Sequence, residues 1–427
     1  MRTFRVKKRV ANACHIYQML KTHAREKHLS FHTPGHKVGE WDITELSFAD
    51  NLSAPKGCIA RAEKDIADIL GAEKSFILTD GSTSGVFSML YAIKKLGAKS
   101  VLVQTNSHKS VFNACGVLGL SVLTCTRAEN GAQDFEAGFK QADALLLTCP
   151  DYYGNILDLS AISARCKAEN KLLAIDGAHG GHLHFDKRLY AGTYADLWVD
   201  GVHKSLPAFT QGAVVSAKTQ TCANALYEGV QTFRTTSPSY PIMASVEYAV
   251  KYPRNIKLEE RVRAFARENA NRVRVGDDFT KVCVAFGVNA FEVEKKLESK
   301  GVYAEFCDGE SIVFYLSPAT KLRAFNALKK LLIQYFKQIP YTPENTVERI
   351  PAPLVFNENG ATEWVGIQNS AGRICASDCG LFPPCTALIR KGEKIEQEKL
   401  ALLKKANNVY GVWEEKILVY KGEEDAR

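Results

Sequence analysis

The sequence contains no apolar run long enough to cross a bilayer, no internal repeat and no low-complexity tract. The first absence excludes a membrane-spanning helix, which needs about 20 apolar residues in succession. The other two exclude repeat architectures and long compositionally biased segments. What remains is a chain of 427 residues with 46% hydrophobic and 24% charged residues. This balance is typical of a globular protein with two or three domains.

A strong excess of charge of one sign is also missing. The formal net charge is +8, and the basic residues are spread along the chain except for a cluster between Arg2 and Arg9. That cluster suits a solvated arm, or contact with an anionic partner. We predict that neither nucleic acid nor a membrane is a partner of this protein.

The twelve cysteines do not form a recognisable disulfide or metal framework. Their spacing is irregular, several lie in apolar strands, and no secretory hydrophobic region precedes them. No paired C-x-x-C motif or histidine at ligand spacing accompanies Cys375, Cys379 and Cys385. We therefore predict reduced, buried thiols in a cytoplasmic enzyme, and no metal site.

Between residues 55 and 252, short apolar strands alternate with helical stretches. Helices are predicted at 59–70 and 84–96, each followed by glycine, and the strands fall at 75–78, 100–104, 121–125, 144–148 and 172–175. This alternation indicates an α/β fold with a mainly parallel sheet. Such a sheet binds ligands beyond the carboxyl ends of its strands.

The pattern divides the chain into four parts. Residues 1–45 form an arm with an amphipathic helix at about 11–27, and residues 46–252 form the large domain. Residues 253–340 are predicted to be a smaller α+β domain. Several prolines mark a linker into the C-terminal segment, 341–427.

Lys204 stands between an apolar run that ends in Asp200 and a second apolar run at 213–215. A lysine held between buried strands is desolvated, which lowers its pKa and makes its neutral amine a nucleophile toward aldehydes. Upstream, another apolar strand ends in Asp176. This pair suits pyridoxal phosphate (PLP), with the acid on the ring nitrogen and the lysine on the aldehyde carbon. The same pattern would equally arise from an acid at a strand end and a surface lysine that have no functional connection.

Residues 81–85 follow a strand and open a helix, and they read Gly-Ser-Thr-Ser-Gly. Backbone amides at a helix N-terminus, flanked by hydroxyl groups, can bind a phosphate. An ordinary helix cap would give the same pattern.

A set of motifs occurs in a fixed order along the chain: FHTPGHKVG (31–39), DITEL (42–46), DNLSAPKGCI (50–59), TDGSTSG (79–85), NSHKS (106–110), DGAHGGHLHF (176–185), VHKSLPAFTQ (202–211), TTSPSYPIMAS (235–245) and GRICAS (372–377). Together they resemble the ornithine/lysine/arginine decarboxylase family, from about residue 31 to about residue 395. The resemblance implies PLP dependence and the aspartate-aminotransferase fold. That fold (fold type I) has a large domain with a mainly parallel sheet and a smaller C-terminal α+β domain.

The resemblance also assigns roles around the cofactor. It implies that Ser82 and Thr83 bind the phosphate, that His108 stacks on the ring, and that His179 lines it. Asp176 would pair with the ring nitrogen.

The resemblance assigns the Schiff-base link to Lys204. His203 would contact the phosphate or act as an acid–base group. In the family, the segment that corresponds to the one containing Ser237 reaches across the dimer toward the cofactor of the other subunit. We therefore expect a homodimer with shared active sites, or a higher oligomer of dimers.

The sequence departs from the family pattern at several positions, including residues 53, 201 and 377. Gly201, Ser53 and Ser377 stand where relatives usually have a serine, a histidine and an acidic residue, respectively. A lost hydroxyl at residue 201 would weaken cofactor binding by about 1.5–3 kcal/mol.

The resemblance implies decarboxylation of arginine, lysine or ornithine to a di- or polyamine precursor. Two alternatives stay open. One is transamination or elimination on the same scaffold, for which Arg373 would hold the substrate α-carboxylate. The other is a weakly active or inactive PLP-binding paralogue with a regulatory role.

Overall fold

The computed structural model describes residues 7–37, 40–127, 133–341, 360–382, 387–406 and 408–421. The start of the basic cluster, most of the predicted proline-rich linker, and Cys385 lie outside these residues.

A seven-stranded sheet forms the centre of the molecule. Its strands in chain order are β1 (Lys74–Leu78), β2 (Ser100–Val103), β3 (Ser121–Thr124), β4 (Ala144–Thr148), β5 (Leu172–Gly177), β6 (Leu197–Asp200) and β7 (Ala213–Ala217). The spatial order is β1-β7-β6-β5-β4-β2-β3. Strands β3, β2, β4, β5 and β6 pair in parallel, whereas β7 is antiparallel to both of its neighbours. The predicted mainly parallel sheet is confirmed.

Helices cover both faces of this sheet, which explains why its strands are almost continuously apolar. In β4, Leu145 and Leu147 point into one core cluster, and Ala144 and Leu146 point into the other. The helices before residue 255 are α1 (Lys8–Asn12), α2 (His15–His23), α3 (Cys58–Leu70), α4 (Ser82–Lys95), α5 (Lys109–Leu118), α6 (Glu136–Gln141), α7 (Leu159–Ala168), α8 (Val202–Ser205), α9 (Gln220–Phe233) and α10 (Tyr240–Val250). Helices α4, α5 and α9 share one face, and α2, α3 and α10 share the other.

A second, four-stranded antiparallel sheet follows. Its strands are β8 (Val273–Arg274), β9 (Lys281–Ala285), β10 (Phe306–Cys307) and β11 (Ser311–Tyr315), in the order β8-β9-β11-β10. Its helices are α11 (Ile256–Glu268), α12 (Ala290–Glu298) and α13 (Leu322–Gln338). One face of the sheet packs on these helices, and the other packs on Tyr152 and Tyr153 of the large domain.

The C-terminal part contains two small sheets and one helix. The strands are β12 (Thr362–Gly366), β13 (Cys379–Leu381), β14 (Ala387–Ile389), β15 (Val409–Tyr410), β16 (Val412–Trp413) and β17 (Lys416–Tyr420), and the helix is α14 (Gln397–Lys405). The sheet orders are β12-β17-β16 and β14-β13-β15. This part contacts α5 through Arg390 over the Phe112 ring and Lys109 under the Tyr410 ring.

Two predicted elements differ from the structure in an informative way. The single arm helix is two helices, because the chain breaks at Ala13 and Cys14. Helix α4 begins at Ser82 rather than Ser84, because Gly81 adopts φ +86° and turns the chain directly into the helix. No helix in the described ranges is long and apolar enough to cross a membrane.

Helices α4 and α9 pack closely enough to exclude a side chain at Gly229. A Cβ there would lie 2.6 Å from the Ser88 carbonyl oxygen and 2.9 Å from Ser88 Cα. Gly229→Ala should force the helices apart and lower the free energy of unfolding by about 1–3 kcal/mol. Urea denaturation measures the change.

Gly116 in α5 provides the matched control, because a Cβ there meets no atom within 4 Å. Gly116→Ala should raise the free energy of unfolding by about 0.5–1 kcal/mol, since alanine favours the helix. Equal stabilities for the two alanine variants would contradict this account of the packing.

Candidate active site

Three neighbouring parallel strands end at the same edge of the large sheet. Thr148 ends β4, Asp200 ends β6, and Asp176 is the last residue but one of β5. The loop after β5 includes a 3-10 turn, Gly181–Phe185. Helix α8, which carries Lys204, begins two residues after Asp200, so these groups meet in one crevice.

Lys204 sits on a short helical turn between two buried strands. Its backbone N–H donates to the Gly201 carbonyl, at 2.9 Å. The neighbouring His203 donates from its backbone N and its Nδ1 to the Gly212 carbonyl, at 3.0 and 2.9 Å. Lys204 Nζ lies 3.1 Å from His179 Nε2 and 5.8 Å from the centre of the Tyr152 ring. These hydrogen bonds hold the turn in place, and the turn directs the Lys204 side chain toward His179 and Tyr152.

Asp176 is a buried carboxylate, with 3% of its surface exposed. Its Oδ1 accepts a hydrogen bond from the Ala178 amide at 3.1 Å. Burial raises the pKa of the Asp176 carboxyl, and the charge of Lys204 opposes that rise. A cation beside this group would compensate for its lost hydration.

His179 lies between Lys204 and an aromatic wall. Its ring centre is 4.2 Å from that of Tyr152 and 5.6 Å from that of Tyr315. Burial, together with the charges of Lys204 and Lys281, holds the pKa of His179 well below its usual value. The imidazole is therefore neutral, and its Nε2 can accept a hydrogen bond from Lys204. Its buried Nδ1 has no hydrogen-bond partner among the described residues.

His108 is the N-cap of α5. Its Nδ1 accepts a hydrogen bond from the Ser110 amide at 3.1 Å. Burial lowers the pKa of His108 to about 4, with further contributions from the charges of Lys204 and Lys109. His108 follows the carboxyl end of β2, at the sheet edge where the parallel strands β4 and β5 also end.

The predicted phosphate-binding residues Ser82 and Thr83 are the first two residues of α4. Ser82 Oγ is buried and has no hydrogen-bond partner within the described part of the chain. Thr83 is exposed. Asp80 accepts from Ser84 Oγ at 2.7 Å and from the Thr235 amide at 2.9 Å. Asp80 therefore joins the loop before α4 to the segment that carries Ser237, which is itself exposed.

Gly201 is required by close packing. A Cβ at this position would lie 2.4 Å from the Ala178 carbonyl oxygen and 2.9 Å from Ser82 Oγ. The Lys204 turn, the loop after β5 and the start of α4 therefore meet at this glycine. This close packing gives a steric reason why residue 201 is glycine and not the serine that is usual in the family.

The donor set of the crevice fits PLP. Ser82 Oγ, at a helix N-terminus, is available to a phosphate. Asp176 is available to a protonated ring nitrogen, and Lys204 to the aldehyde. His179 Nδ1 supplies a further polar atom with no partner among the described residues.

Sequence reasoning missed a buried network on the second sheet. Lys281 Nζ lies 2.7 Å from Asp278 Oδ2 and donates to the His179 carbonyl at 2.7 Å. His182 Nε2 lies 2.8 Å from Asp278 Oδ1. These contacts hold the loop after β5 against β9. The only signal in the sequence was that Lys281 directly precedes an apolar run. Lysines in this position are also common on protein surfaces.

The remaining residues singled out in the sequence lie in other settings. Arg373 donates to Glu363 Oε1 at 2.6 Å and to the Tyr420 carbonyl at 3.0 Å. The Ser377 carbonyl accepts from the Cys375 and Cys379 thiols. Ser53 contacts α9 through its carbonyl, which accepts from Gln231. These contacts do not bring Arg373, Ser53 or Ser377 to Lys204 within the described ranges.

Comparison with known proteins finds one matching family profile. The profile "Orn/Lys/Arg decarboxylase, major domain" matches residues 40–277, more than half of the chain. The curated "Uncharacterized protein YaaO" of Bacillus subtilis is 27% identical, over 96% of this chain and 99% of that protein. An arginine decarboxylase of Bacillus subtilis is 25% identical, over 91% of this chain and 92% of that protein.

Solved structures show the same fold. Lysine decarboxylase A from Pseudomonas aeruginosa has a TM-score of 0.74 at 16% identity, covering 97% of this chain and 81% of that chain. A structure described as SPT with PLP has a TM-score of 0.51 at 13% identity, covering 65% of this chain and 76% of that chain. The predicted fold class, α/β of fold type I with a smaller C-terminal α+β part, is confirmed.

The half-buried His184 should make stability depend on pH. Its Nδ1 donates to the Gly181 carbonyl at 2.7 Å, and burial lowers its pKa to about 4. The unfolded chain binds the proton more readily, so His184 contributes stability above about pH 6.5 that is lost toward pH 4. His184→Asn keeps an N–H donor but does not titrate.

The test compares the free energy of unfolding of the two proteins from pH 7 to pH 4. Their difference should change by about 1.4 kcal/mol per pH unit near pH 5, with wild type losing more. Other titrating groups cancel in this difference. Parallel pH profiles would contradict the assignment.

Residue 201 can be glycine because a side chain is sterically excluded, or because a hydroxyl group that binds the cofactor has been lost. These two explanations predict opposite results for Gly201→Ser. Steric exclusion predicts PLP affinity about tenfold lower or worse, because overpacking costs about 1–3 kcal/mol. A missing hydroxyl predicts tighter binding. Absorbance titration with PLP measures the affinity, and Gly116→Ser is the control with open space around the new side chain.

Proposed function

Because the chain belongs to the Orn/Lys/Arg decarboxylase family, we propose that it is a PLP-dependent decarboxylase of a basic amino acid. The substrate is arginine, lysine or ornithine, and the product is a di- or polyamine precursor. The main support is the position of Lys204, whose Nζ lies 3.1 Å from a neutral His179 at the strand edge that carries the buried Asp176.

In this proposal each residue of the crevice has one task. Lys204 holds PLP covalently, and Asp176 holds its ring nitrogen protonated. Ser82 and Thr83 hold the phosphate, while His108 and His179 hold the ring. When bound, PLP withdraws the electron pair released at the substrate α-carbon.

Proton movement falls to Lys204 and its histidine neighbours. His179 Nε2 can accept a hydrogen bond from the Lys204 amine and orient it as substrate enters. Lys204 or His203 then returns a proton to the α-carbon. Burial, the Gly212 carbonyl and the charge of Lys204 act on the pKa of His203, with a net decrease. A neutral His203 would accept this proton more easily than donate it, so Lys204 is the stronger candidate.

Tyr152 and Phe306 contribute an apolar wall to the crevice. A poorly hydrated carboxylate is more easily lost as carbon dioxide, because the neutral gas does not depend on hydration. The rings therefore favour decarboxylation by excluding water.

We further propose a homodimer, or an oligomer of dimers, in which the exposed Ser237 segment reaches the partner's cofactor. The four-part division at residues 45, 252 and 340 is part of the same proposal. A cytoplasmic location agrees with the cysteines, since all eleven in the described ranges are buried free thiols.

A weakly active paralogue is the second candidate. Ser377, which stands where the family usually has an acid, favours it. Transamination receives less support, because Arg373 is already paired with Glu363.

The proposal is tested by incubating the PLP-loaded protein with carboxyl-labelled L-arginine, L-lysine and L-ornithine. Labelled carbon dioxide and the matching amine should form. Lys204→Ala should lower turnover by about a thousandfold or more, because the nucleophile is lost. The exposed Lys167→Ala is the control and should keep wild-type turnover. A keto acid product would show transamination, and cofactor binding with no product would favour the inactive paralogue.

A further inference from the structure

Two carboxylic acids are buried at the edge of the large sheet where the crevice lies. Asp176, near the end of β5, is 3% exposed, and Asp200, at the end of β6, is 1% exposed. The strand register pairs Gly177 with Asp200, so the two acids are one residue out of step on neighbouring strands. Because side chains alternate along a strand, Asp176 shares the face of Ala174, whereas Asp200 shares that of Trp198. The two acids therefore lie on opposite faces of the same sheet edge.

Asp200 has a hydrogen-bond donor but no positively charged partner. Its Oδ2 accepts a hydrogen bond from the Tyr190 hydroxyl at 2.6 Å, and that hydroxyl accepts one from Trp198 Nε1 at 2.8 Å. Its Oδ1 is buried and has no hydrogen-bond partner within the described part of the chain. No lysine, arginine or histidine among the described residues forms an ion pair with it. A charged carboxylate would lose its hydration here without compensation, so the neutral acid is favoured.

Electrostatics separate the two acids in the same way. Burial raises the pKa of both carboxyl groups, but at Asp176 the charge of Lys204 opposes the rise. At Asp200 only the hydrogen bonds of Tyr190 and Trp198 oppose it, and the pKa reaches about 7. Burial also raises the pKa of Tyr190 well above its usual value, so this partner stays neutral. Two acids whose surroundings favour different protonation states can take different roles at one site.

The loop after β5 lies directly on Asp200. A Cβ at Gly177 would lie 3.3 Å from Asp200 Oδ1, and a Cβ at Gly181 would lie 3.5 Å from Asp200 Cβ. The backbone of this loop therefore approaches the acid with no side chain between them. The same loop carries His179, whose Nε2 lies 3.1 Å from Lys204 Nζ. A change at Asp200 is thus passed directly to the groups of the crevice.

We propose that Asp200 is a positioning residue that works as a neutral carboxylic acid. Its hydrogen bond with Tyr190 holds it beneath the loop after β5, and this loop holds His179 and the Asp176 carboxylate toward the cofactor. Ionisation of Asp200 would place a second negative charge one strand away from Asp176 and draw water or a cation into the core. This inference rests on the proposed PLP-dependent function, but not on which amino acid is decarboxylated.

Substitutions at residue 200 separate a neutral acid from a charged one. Asp200→Asn keeps an acceptor for Tyr190 and, like a protonated acid, a donor on the other side. Its PLP dissociation constant should therefore stay within about threefold of wild type, whereas that of Asp200→Ala or Tyr190→Phe should rise by about tenfold or more, because a buried polar group is left unpaired. Absorbance titration measures the affinity, and borohydride trapping measures how much cofactor is bound to Lys204.

The protonation state is tested by the pH dependence of unfolding of the full-length chain without added cofactor. The Asp200 carboxyl ionises near about pH 4 in the unfolded chain and near about pH 7 in the folded protein. Its stabilising contribution is therefore complete below about pH 4 and is lost as the pH rises to about 7. The unfolding constant of wild type relative to that of Asp200→Asn should rise about tenfold per pH unit near about pH 5.5. Urea denaturation measures both constants.

The exposed Asp68→Asn is the matched control, because it removes an aspartate carboxylate at the surface. It should leave the PLP dissociation constant at the wild-type value and should not reproduce the pH-dependent change in relative stability. Should Asp200→Ala fail to fold, Tyr190→Phe provides the comparison with Asp200→Asn, since it removes the same hydrogen bond from the other side.

Each outcome decides between the inference and the function it rests on. An Asn variant that loses PLP affinity as the Ala variant does overturns the inference, because the charged acid would then be required. Parallel pH profiles for wild type and the Asn variant also overturn it, as does wild-type PLP affinity in the Ala and Phe variants. A wild type that binds PLP on Lys204 but decarboxylates none of the three basic amino acids overturns the proposed function alone. A wild type that binds no PLP overturns both.

Discussion

The site depends on one electrostatic constraint, namely a carboxylate buried at the end of a central strand. Asp176 cannot be hydrated there, and a single amide hydrogen bond from Ala178 does not compensate for that loss. Positive charge must therefore be brought to this edge of the sheet. The turn that carries Lys204 meets this requirement, and the crevice fits a cofactor whose ring carries a proton. Neutral histidines around the lysine avoid adding further charge to the same small volume.

A second buried charge pair transmits this constraint to the smaller sheet. Lys281 and Asp278 neutralise each other, while Lys281 also binds the carbonyl of His179. Removing one partner of such a pair costs about 3–5 kcal/mol, because the other charge is left uncompensated. The position of His179, and through it that of Lys204, is therefore tied to β9. The two sheets act as one support for the crevice rather than as independent units.

Much of the large sheet could be read from the sequence because its signals are local. A strand buried on both faces must be apolar throughout, as β4 and β5 are, and helix ends at Gly71 and Gly97 need a left-handed residue. Asp176 and Lys204 were found for the same reason, since each follows its own strand. The roles assigned to them by resemblance remain predictions.

Lys281 could not be found in this way, because its significance comes from its contact with the His179 carbonyl, about one hundred residues away in the chain. A lysine next to an apolar strand gives no sign in the sequence of such a contact. The break in the arm helix at Cys14 was also hidden from the sequence, because the amides of His15 and Ile16, at the start of α2, donate to the distant Glu247 carboxylate.

The packing at Gly201 has an evolutionary consequence. The Ala178 carbonyl and Ser82 occupy the space that any larger side chain would need. A lineage could therefore exchange serine and glycine at this position only in a fixed order, with a shift of the loop after β5 preceding any return to serine. Such order dependence is epistasis between residue 201 and the loop after β5.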